Sequence, residues 1–153
     1  MPRCMRILFL CSGNYYRSRF SEALFNHEAE RRGLKARAYS RGLATHLVAD
    51  FPDFISPHTV EALAARNISQ DLTGPRPVQV TNTDLATSYR VIAVKEAEHR
   101  AMLAELHPGW EDRVEYWHIH DIDFARPQDA LPELEVKLGL LLEQIEAEEK
   151  TAK

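Results

Sequence analysis

Cysteine is scarce in this chain of 153 residues, which contains only Cys4 and Cys11. On one extended strand these two residues would lie ~23 Å apart, at ~3.3 Å per residue. A disulfide needs Cα atoms within ~7 Å of each other. The sequence therefore excludes a small disulfide-stabilised scaffold, and it fits a reducing compartment.

Long hydrophobic runs and an excess of basic residues are also missing. No apolar run approaches the ~20 residues of a membrane-spanning helix, and the run that follows the basic N-terminal residues, about five residues, is too short for a signal peptide. The formal net charge is −4, whereas nucleic-acid binding favours a basic surface. We therefore expect a cytoplasmic protein with no nucleic-acid or membrane partner. The sequence does not indicate the oligomeric state.

Strands and helices alternate along the chain. Apolar runs predict strands over residues 6–11, 35–40, 89–94 and 114–119. Helical periodicity and capping residues predict helices over residues 18–32, 57–67, 82–88, 96–106 and 130–149, the third capped by Asn82 or Thr83. This alternation predicts an α/β fold, a four-stranded parallel sheet with helices on both faces. The length predicts a single domain over residues 1–153.

The loop after the first strand suits a phosphate group. It reads Cys11-Ser12-Gly13-Asn14-Tyr15-Tyr16-Arg17-Ser18. Backbone N–H groups and a helix N-terminus would point at one spot there, and Arg17 could add a bidentate fork to two phosphate oxygens. Such surroundings favour the thiolate form of a cysteine. We therefore predict that Cys11 is a nucleophile, that residues 12–18 bind phosphate, and that Ser18 donates to the thiolate.

This loop resembles the signature of the low-molecular-weight protein tyrosine phosphatases, a Cys-x5-Arg-Ser sequence that contains Gly-Asn and follows the first strand. The resemblance runs from Arg6 to Ile145 and includes Ser40-Arg41-Gly42, Asp71-Leu72-Thr73-Gly74 and Gln79-Val80-Thr81. It implies hydrolysis of a phosphorylated protein or a small phosphomonoester through a phospho-cysteine intermediate. It also implies that no metal or organic cofactor is needed.

The resemblance further implies an aspartate that protonates the leaving oxygen, placed in an Asp-Pro motif after the fourth strand. Here that segment reads His118-Ile119-His120-Asp121-Ile122-Asp123-Phe124. Asp121 matches the family position best, although Ile122 replaces the proline, and Asp123 is the alternative. The two alternating histidines and the aspartates also suggest a metal site, but zinc usually takes three or four convergent ligands, so we expect none.

Substrate choice stays open at this point. Tyr15 takes the place of a residue that lines the substrate slot in the family, and Phe124 is the one aromatic residue near the acid, so we expect both to line the slot. Phosphotyrosine is the substrate that the resemblance implies. Phosphoarginine and a small phosphorylated metabolite are alternatives.

Three departures from the family pattern favour a second hypothesis. Pro75 replaces a histidine that supports the loop asparagine, so Asn14 should instead be held by Ser40, Ser18 or the backbone. Lys95 replaces an aspartate after the third strand, and Ile122 replaces the proline noted above. The alternative is a catalytically weak or inactive module that binds phosphate or phosphoproteins.

The loop also lacks a redox partner for its cysteine. Tyr16 replaces a second loop cysteine that can trap the nucleophile in a reversible disulfide in many relatives. Oxidation of Cys11 could therefore proceed further than a disulfide. Thiol redox chemistry, as in the related arsenate reductases, needs additional cysteines and is the least favoured hypothesis.

Overall fold

The computed structural model describes residues 5–151. The predicted absence of a Cys4–Cys11 disulfide concerns a residue outside this range. Four parallel strands form one sheet in the order β2-β1-β3-β4. They are β1 (Arg6–Cys11), β2 (Arg37–Gly42), β3 (Arg90–Ala93) and β4 (Glu115–Tyr116). The predicted fold class is confirmed.

Within the described part of the chain, five α-helices cover the two faces of the sheet. They are α1 (Arg17–Arg31), α2 (Pro57–Ala65), α3 (Asn82–Thr87), α4 (Glu96–Leu106) and α5 (Pro127–Thr151). Successive side chains of β1 point to opposite faces, so Phe9 packs in the core under α1 and α5, while Leu8 and Leu10 pack with residues of α3 and α4. No helix within residues 5–151 is long and apolar enough to cross a membrane.

Several predicted element bounds are wrong. Helix α5 begins three residues earlier than expected, and α2 ends two residues earlier. Strand β2 begins and ends two residues later than expected, because it pairs with β1 as far as Cys11 and Gly42. Strand β4 is only two residues long and lies at the sheet edge. Helix α3 is capped by Thr81, whose hydroxyl accepts from the backbone N–H of Asp84 while the Asp84 carboxylate accepts from the N–H of Thr81.

The carboxyl ends of the strands meet at one edge of the sheet. Ligands bind at this edge in open parallel sheets. Three segments converge there: the loop after β1, the start of α4 after β3, and residues 119–123 after β4. The last segment is held close to β3, because the N–H of Ile119 donates to the carbonyl of Val94 at 2.8 Å.

Candidate active site

The loop between β1 and α1 places a hydroxyl group against the Cys11 thiol. Cys11 is 3% exposed, and its sulfur lies 2.9 Å from Ser18 Oγ. Ser18 Oγ also accepts a hydrogen bond from Asn14 Nδ2 at 2.9 Å. Since that oxygen already accepts from Asn14, its own hydrogen is available for the sulfur.

Asn14 holds the shape of this loop. Its backbone is left-handed, with φ of 53°, and its side chain is buried. Its Nδ2 group also donates to Ser40 Oγ at 2.9 Å, and its Oδ1 accepts from the N–H of Val78 at 2.9 Å. The structure thus places Ser18, Ser40 and a backbone N–H around Asn14. A buried, fully hydrogen-bonded amide fixes the loop.

The hydrogen bonds continue from Asn14 to a buried carboxylate. Ser40 Oγ donates to Glu22 Oε1 at 2.6 Å, and Thr73 Oγ1 donates to the same oxygen at 2.8 Å. Burial raises the pKa of Glu22, and the two hydroxyl donors offset only part of that effect. We call the set Asn14, Ser18, Glu22, Ser40 and Thr73 the Glu22 network.

Arg19 is a buried cation that the sequence prediction missed. Its Nε donates to Thr73 Oγ1 at 2.6 Å, and its terminal nitrogens donate to the carbonyls of Phe54 and Gly74. A longer contact of 3.4 Å reaches the carbonyl of Asn14. Burial lowers the pKa of Arg19. This one side chain therefore ties three loops to the start of α1.

Arg17 lies on the other side of the loop, and its side chain is 2% exposed. Its Nη1 donates to Glu98 Oε2 at 3.1 Å and to the carbonyl of Ile119 at 3.0 Å, and its Nη2 donates to Glu98 Oε1 at 3.0 Å. Asp121 Oδ2 lies 3.3 Å from Nη2. Burial alone would lower the pKa of Arg17, but the charges of Cys11, Glu98 and Asp121 outweigh it and raise that pKa.

Glu98 also receives a hydrogen bond from the loop. The hydroxyl of Ser12 donates to Glu98 Oε1, and His99 Nε2 lies 3.1 Å from the same hydroxyl. Burial alone would raise the pKa of Glu98, but hydrogen bonds from His99 and Arg17 and the Arg17 charge hold it far below its ordinary value. Burial lowers the pKa of His99, which is therefore neutral near pH 7. We call Ser12, Arg17, Glu98 and His99 the Glu98 network.

The two candidate acids differ in their contacts. Asp121 and Asp123 both line the cavity above Cys11. Asp121 contacts Arg17, and its backbone carbonyl accepts from the N–H groups of Phe124 and Ala125, which closes a tight turn. Within residues 5–151, Asp123 forms no ion pair. The structure therefore brings Asp121, and not Asp123, into contact with the arginine.

The cavity has a volume of about 480 Å³ and largely apolar walls. Tyr15 packs edge-to-face on Phe51, with ring centroids 5.1 Å apart. Gly13 lets the wall approach closely, because a Cβ atom there would lie 2.9 Å from Val48 Cγ1. The lining residues are Cys11, Ser12, Gly13, Tyr15, Tyr16, Arg17, Leu47, Val48, Phe51, Ser56, Pro57, His58, Asp121, Ile122 and Asp123.

Tyr16 lines this cavity with a buried phenol ring. Its hydroxyl is buried and has no hydrogen-bond partner within residues 5–151. Burial and the nearby charge of Asp121 raise the pKa of Tyr16 to about 12. The phenol therefore stays neutral near pH 7 and serves as a wall of the slot.

Phe124 does not line the cavity in this structure. Its ring is 73% exposed, and Lys95 Nζ lies 4.2 Å from the ring centroid. The rings of His118 and His120 pack together at 4.7 Å between centroids, and His120 also packs against Phe124. Among residues 5–151 no group of three or more potential ligands could hold a metal ion.

Glu98 and His99 were not predicted from the sequence. Both lie in the first turn of α4, directly after the carboxyl end of β3. Their position after a predicted strand is the sequence feature that could have identified them, because ligands bind beyond the carboxyl ends of parallel strands. Neither residue belongs to a motif with fixed spacing from Cys11, so the contact could be found only from the fold.

Comparisons with known proteins agree on one family. Residues 6–148 match the family described as low molecular weight phosphotyrosine protein phosphatase. The chain is similar to a protein-arginine-phosphatase of Bacillus subtilis, with 31% identity over 111 residues, 72% of this chain and 68% of the relative. It is 38% identical over 71 residues to a low molecular weight phosphotyrosine protein phosphatase of Schizosaccharomyces pombe, 44% of each chain.

A solved structure shows the same fold. YfkJ from Bacillus subtilis superposes with a TM-score of 0.82 over 96% of this chain and 98% of its own, at 24% identity.

Proposed function

Since the chain belongs to the low molecular weight phosphotyrosine protein phosphatase family, we propose that it hydrolyses phosphomonoesters through a phospho-cysteine intermediate on Cys11. The family supports phosphatase activity, and the proposal adds the mechanism and phosphotyrosine in a protein as substrate. One observation carries it: Cys11, Arg17 and Asp121 line the same cavity. A nucleophile, an oxyanion-binding cation and a proton donor are the groups that this reaction needs.

In the first step the Cys11 thiolate attacks phosphorus, a P–S bond forms, and the P–O bond to the leaving group breaks. Arg17 and the N–H groups of residues 12–18 would hold the three non-bridging oxygens, because positive groups arranged beforehand stabilise the charge of the transition state. Asp121 gives its proton to the leaving oxygen, so the product leaves as an alcohol or a phenol.

In the second step water attacks the phospho-cysteine, and Asp121, now ionised, takes the proton of that water. The P–S bond breaks and returns the Cys11 thiolate, while inorganic phosphate leaves. The Ser18 hydroxyl, 2.9 Å from the sulfur, would stabilise the departing thiolate by a charge-assisted hydrogen bond.

Asp121 is preferred over Asp123 because of its contact with Arg17. The 3.3 Å separation of its carboxylate from Arg17 Nη2 puts it beside the group that would hold the phosphate. Its other carboxylate oxygen, Oδ1, accepts from the N–H of Ile122 at 2.9 Å, which also fixes the position of the side chain. Asp123 lines the cavity without such a contact, so it serves as the comparison residue.

The shape of the slot favours an aryl phosphate. Tyr15 and Phe51 form an aromatic wall that suits a phenyl ring. The similarity to a protein-arginine-phosphatase supports phosphoarginine as a second candidate. Two carboxylates on the cavity wall, Asp121 and Asp123, could pair with its guanidinium group.

The test is hydrolysis of phenyl phosphate and p-nitrophenyl phosphate between about pH 4 and pH 8 by wild type, Cys11→Ser, Asp121→Asn and Asp123→Asn. We expect no turnover by Cys11→Ser. Asp121→Asn should be slowed ~10²–10⁴-fold on phenyl phosphate, and less on the nitro compound, whose leaving group needs a proton less. Asp123→Asn should remain within about threefold of wild type, since it removes no group used in the reaction.

Each alternative has its own outcome. Normal activity of Asp121→Asn with a large loss in Asp123→Asn would move the acid to Asp123. An inert wild type that still binds phosphate would replace the enzyme by a phosphate-binding module. Comparing phosphotyrosine and phosphoarginine peptides of the same sequence then decides the substrate class.

A further inference from the structure

One edge of the Arg17 guanidinium pairs with Glu98, and a second edge includes a nitrogen without a hydrogen-bond partner within residues 5–151. A guanidinium carries five N–H groups in a fixed plane. Glu98 takes both terminal nitrogens, and the carbonyl of Ile119 takes a second hydrogen of Nη1. The buried Nε has no hydrogen-bond partner within residues 5–151. The edge formed by Nε and Nη2 is therefore the one that can hold two oxygens of a phosphate.

Glu98 is itself fixed by a directed chain of hydrogen bonds. The N–H of Lys95 donates to His99 Nδ1 at 3.2 Å, so the neutral ring carries its proton on Nε2. Nε2 can then donate to the Ser12 hydroxyl at 3.1 Å, which in turn donates to Glu98 Oε1, and the same Nε2 lies 3.4 Å from that carboxylate oxygen. His99 is fully buried. The chain has one consistent direction, and it ends on an ionised Glu98.

Asp121 competes with Glu98 for the same guanidinium. Its Oδ2 lies 3.3 Å from Nη2, one of the two nitrogens of the edge that would hold phosphate. A buried arginine that lost Glu98 would be left with an uncompensated charge, which is strongly unfavourable. A bidentate pair with Asp121 would relieve it. That pair would occupy the phosphate-binding edge and also remove the acid from the leaving oxygen.

We propose that Glu98 is a positioning residue for the reaction: it holds the terminal edge of Arg17, keeps the Nε–Nη2 edge turned to the phosphate, and prevents Asp121 from capturing the arginine. This role rests on the proposed function, because it assigns Arg17 to phosphate binding. A carboxylate that served only as a nearby negative charge would act in the opposite direction, since its removal would strengthen anion binding.

The test is tungstate binding measured by calorimetry, which needs no turnover. Glu98→Gln should weaken tungstate binding by about tenfold or more, since loss of one partner of a charged pair frees the other to re-pair. Glu96→Gln is the matched control, because Glu96 lies on the same helix and pairs with the exposed Arg100 at 2.8 Å. It should bind tungstate within about twofold of wild type.

Adding Asp121→Asn to Glu98→Gln should restore affinity to within about threefold of wild type, since the competitor is then gone, and non-additivity of this kind is expected for residues that share a partner. Glu98→Gln that binds tungstate as well as wild type or better would overturn the proposal. So would a double variant that stays weak.

A measurement on the wild-type protein does not depend on the folding of any variant. During a tungstate titration followed by NMR, the Nε–H signal of Arg17 should shift strongly as it gains a partner. Binding of tungstate without a shift of that signal would contradict the assignment of the Nε–Nη2 edge. A wild type that binds tungstate but hydrolyses no phosphate ester would refute the proposed function and leave the positioning result standing.

Discussion

The Glu22 network and the Glu98 network support the same loop from opposite sides, yet the pKa values of their two carboxylates are shifted in opposite directions. Glu22 accepts from two neutral hydroxyl groups, and its pKa is raised. Glu98 accepts a fork from a guanidinium, and its pKa is lowered. Burial disfavours the charge in both places. At Glu98 the hydrogen bond from His99, together with the hydrogen bonds and charge of Arg17, outweighs burial, whereas at Glu22 the hydroxyl donors and the more distant Arg19 do not.

The difference shows what each side is for. In the Glu22 network the hydrogen bonds come from neutral donors; they fix the backbone and place Ser18 against the Cys11 sulfur. The Glu98 network holds the Arg17 guanidinium, which would contact the substrate. Its hydrogen bonds orient Arg17 and leave Nε of the guanidinium without a hydrogen-bond partner within residues 5–151. We call the Glu22 network the shape side of the loop and the Glu98 network the charge side.

The largest effect is expected from a substitution that removes the Asn14 side chain from the shape side. Asn14→Gly keeps the left-handed backbone but leaves Ser40 Oγ and the N–H of Val78 without their partner. We expect a loss of about 3 kcal/mol in the free energy of unfolding and a fall of ~10²-fold in kcat/KM, as for a misplaced catalytic group. Urea unfolding and aryl phosphate kinetics measure both.

Asn67→Gly is the matched control, because within residues 5–151 Asn67 is the other non-glycine residue with positive φ, 56°, and it is exposed. It should change stability by only a few tenths of a kcal/mol, since it loses no buried partner. Equal losses in the two variants would mean that backbone conformation, and not the hydrogen bonds of Asn14, explains the effect.

How far the sequence predicts these two sides depends on separation along the chain. Asn14 and Ser18 are four residues apart and belong to one loop motif, so they were predicted together. Arg17 and Glu98 are 81 residues apart, and Ser12 and His99 are 87 apart. Such pairs depend on strand order, and no local pattern contains that information.

The same reasoning separates the correct element bounds from the wrong ones. Strand β1 and helix α4 have the predicted bounds, because an apolar run and a helical period with a following proline mark them locally. The end of β2 at Gly42 depends on pairing with Cys11. The shortness of β4 depends on its place at the sheet edge. The end of β2 and the length of β4 therefore depend on neighbouring strands, which the local sequence does not predict.

The second expected effect tests the contact between β2 and the phosphate-binding loop. A Cβ atom on Gly42 would lie 2.9 Å from the carbonyl oxygen of Ser12 and 3.0 Å from Asn14 Cβ. Gly42 cannot shift easily, because its N–H donates to the carbonyl of Val78 and its own carbonyl accepts from Val80. Gly42→Ala should therefore destabilise the protein by about 1–3 kcal/mol.

Gly139→Ala is the comparison, because a Cβ atom at that position in α5 meets nothing within 4 Å. It should raise the free energy of unfolding by roughly 0.5–1 kcal/mol, as expected of alanine in a helix. Thermal and urea unfolding measure the expected loss of stability in Gly42→Ala and the expected gain in Gly139→Ala. A neutral Gly42→Ala would show that the loop can move away from β2, contrary to a rigid shape side.

The third prediction uses pH to examine the charge side. The pKa of His99 is lowered by burial, so below about pH 6.5 the unfolded chain takes up a proton that native His99 does not. The free energy of unfolding should therefore fall with decreasing pH by up to about 1.4 kcal/mol per pH unit. His99→Gln should lose this slope, while exposed His46→Gln should keep it. Parallel slopes in all three proteins would mean that His99 is charged in the native state.

The smallest effect contrasts the two carboxylates directly. The raised pKa of Glu22 means that the native state holds a proton just above the ordinary value of 4.5, so wild-type stability falls as pH rises through that window. The lowered pKa of Glu98 has the opposite sign: its contribution is present above 4.5 and is lost as pH falls toward its native value.

Glu22→Gln keeps the Oε1 acceptor of Ser40 and Thr73 but weakens the hydrogen bond that the carboxylate accepts from the Gly74 N–H, so at pH 7 it should change stability by about 1 kcal/mol. Acidification from pH 7 to about pH 4 should favour wild type over Glu22→Gln and should shrink the advantage of wild type over Glu98→Gln. Urea unfolding at the two pH values measures both differences. If both moved in the same direction, the neutral hydroxyls and the guanidinium would be equivalent partners, and the division between a shape side and a charge side would fail.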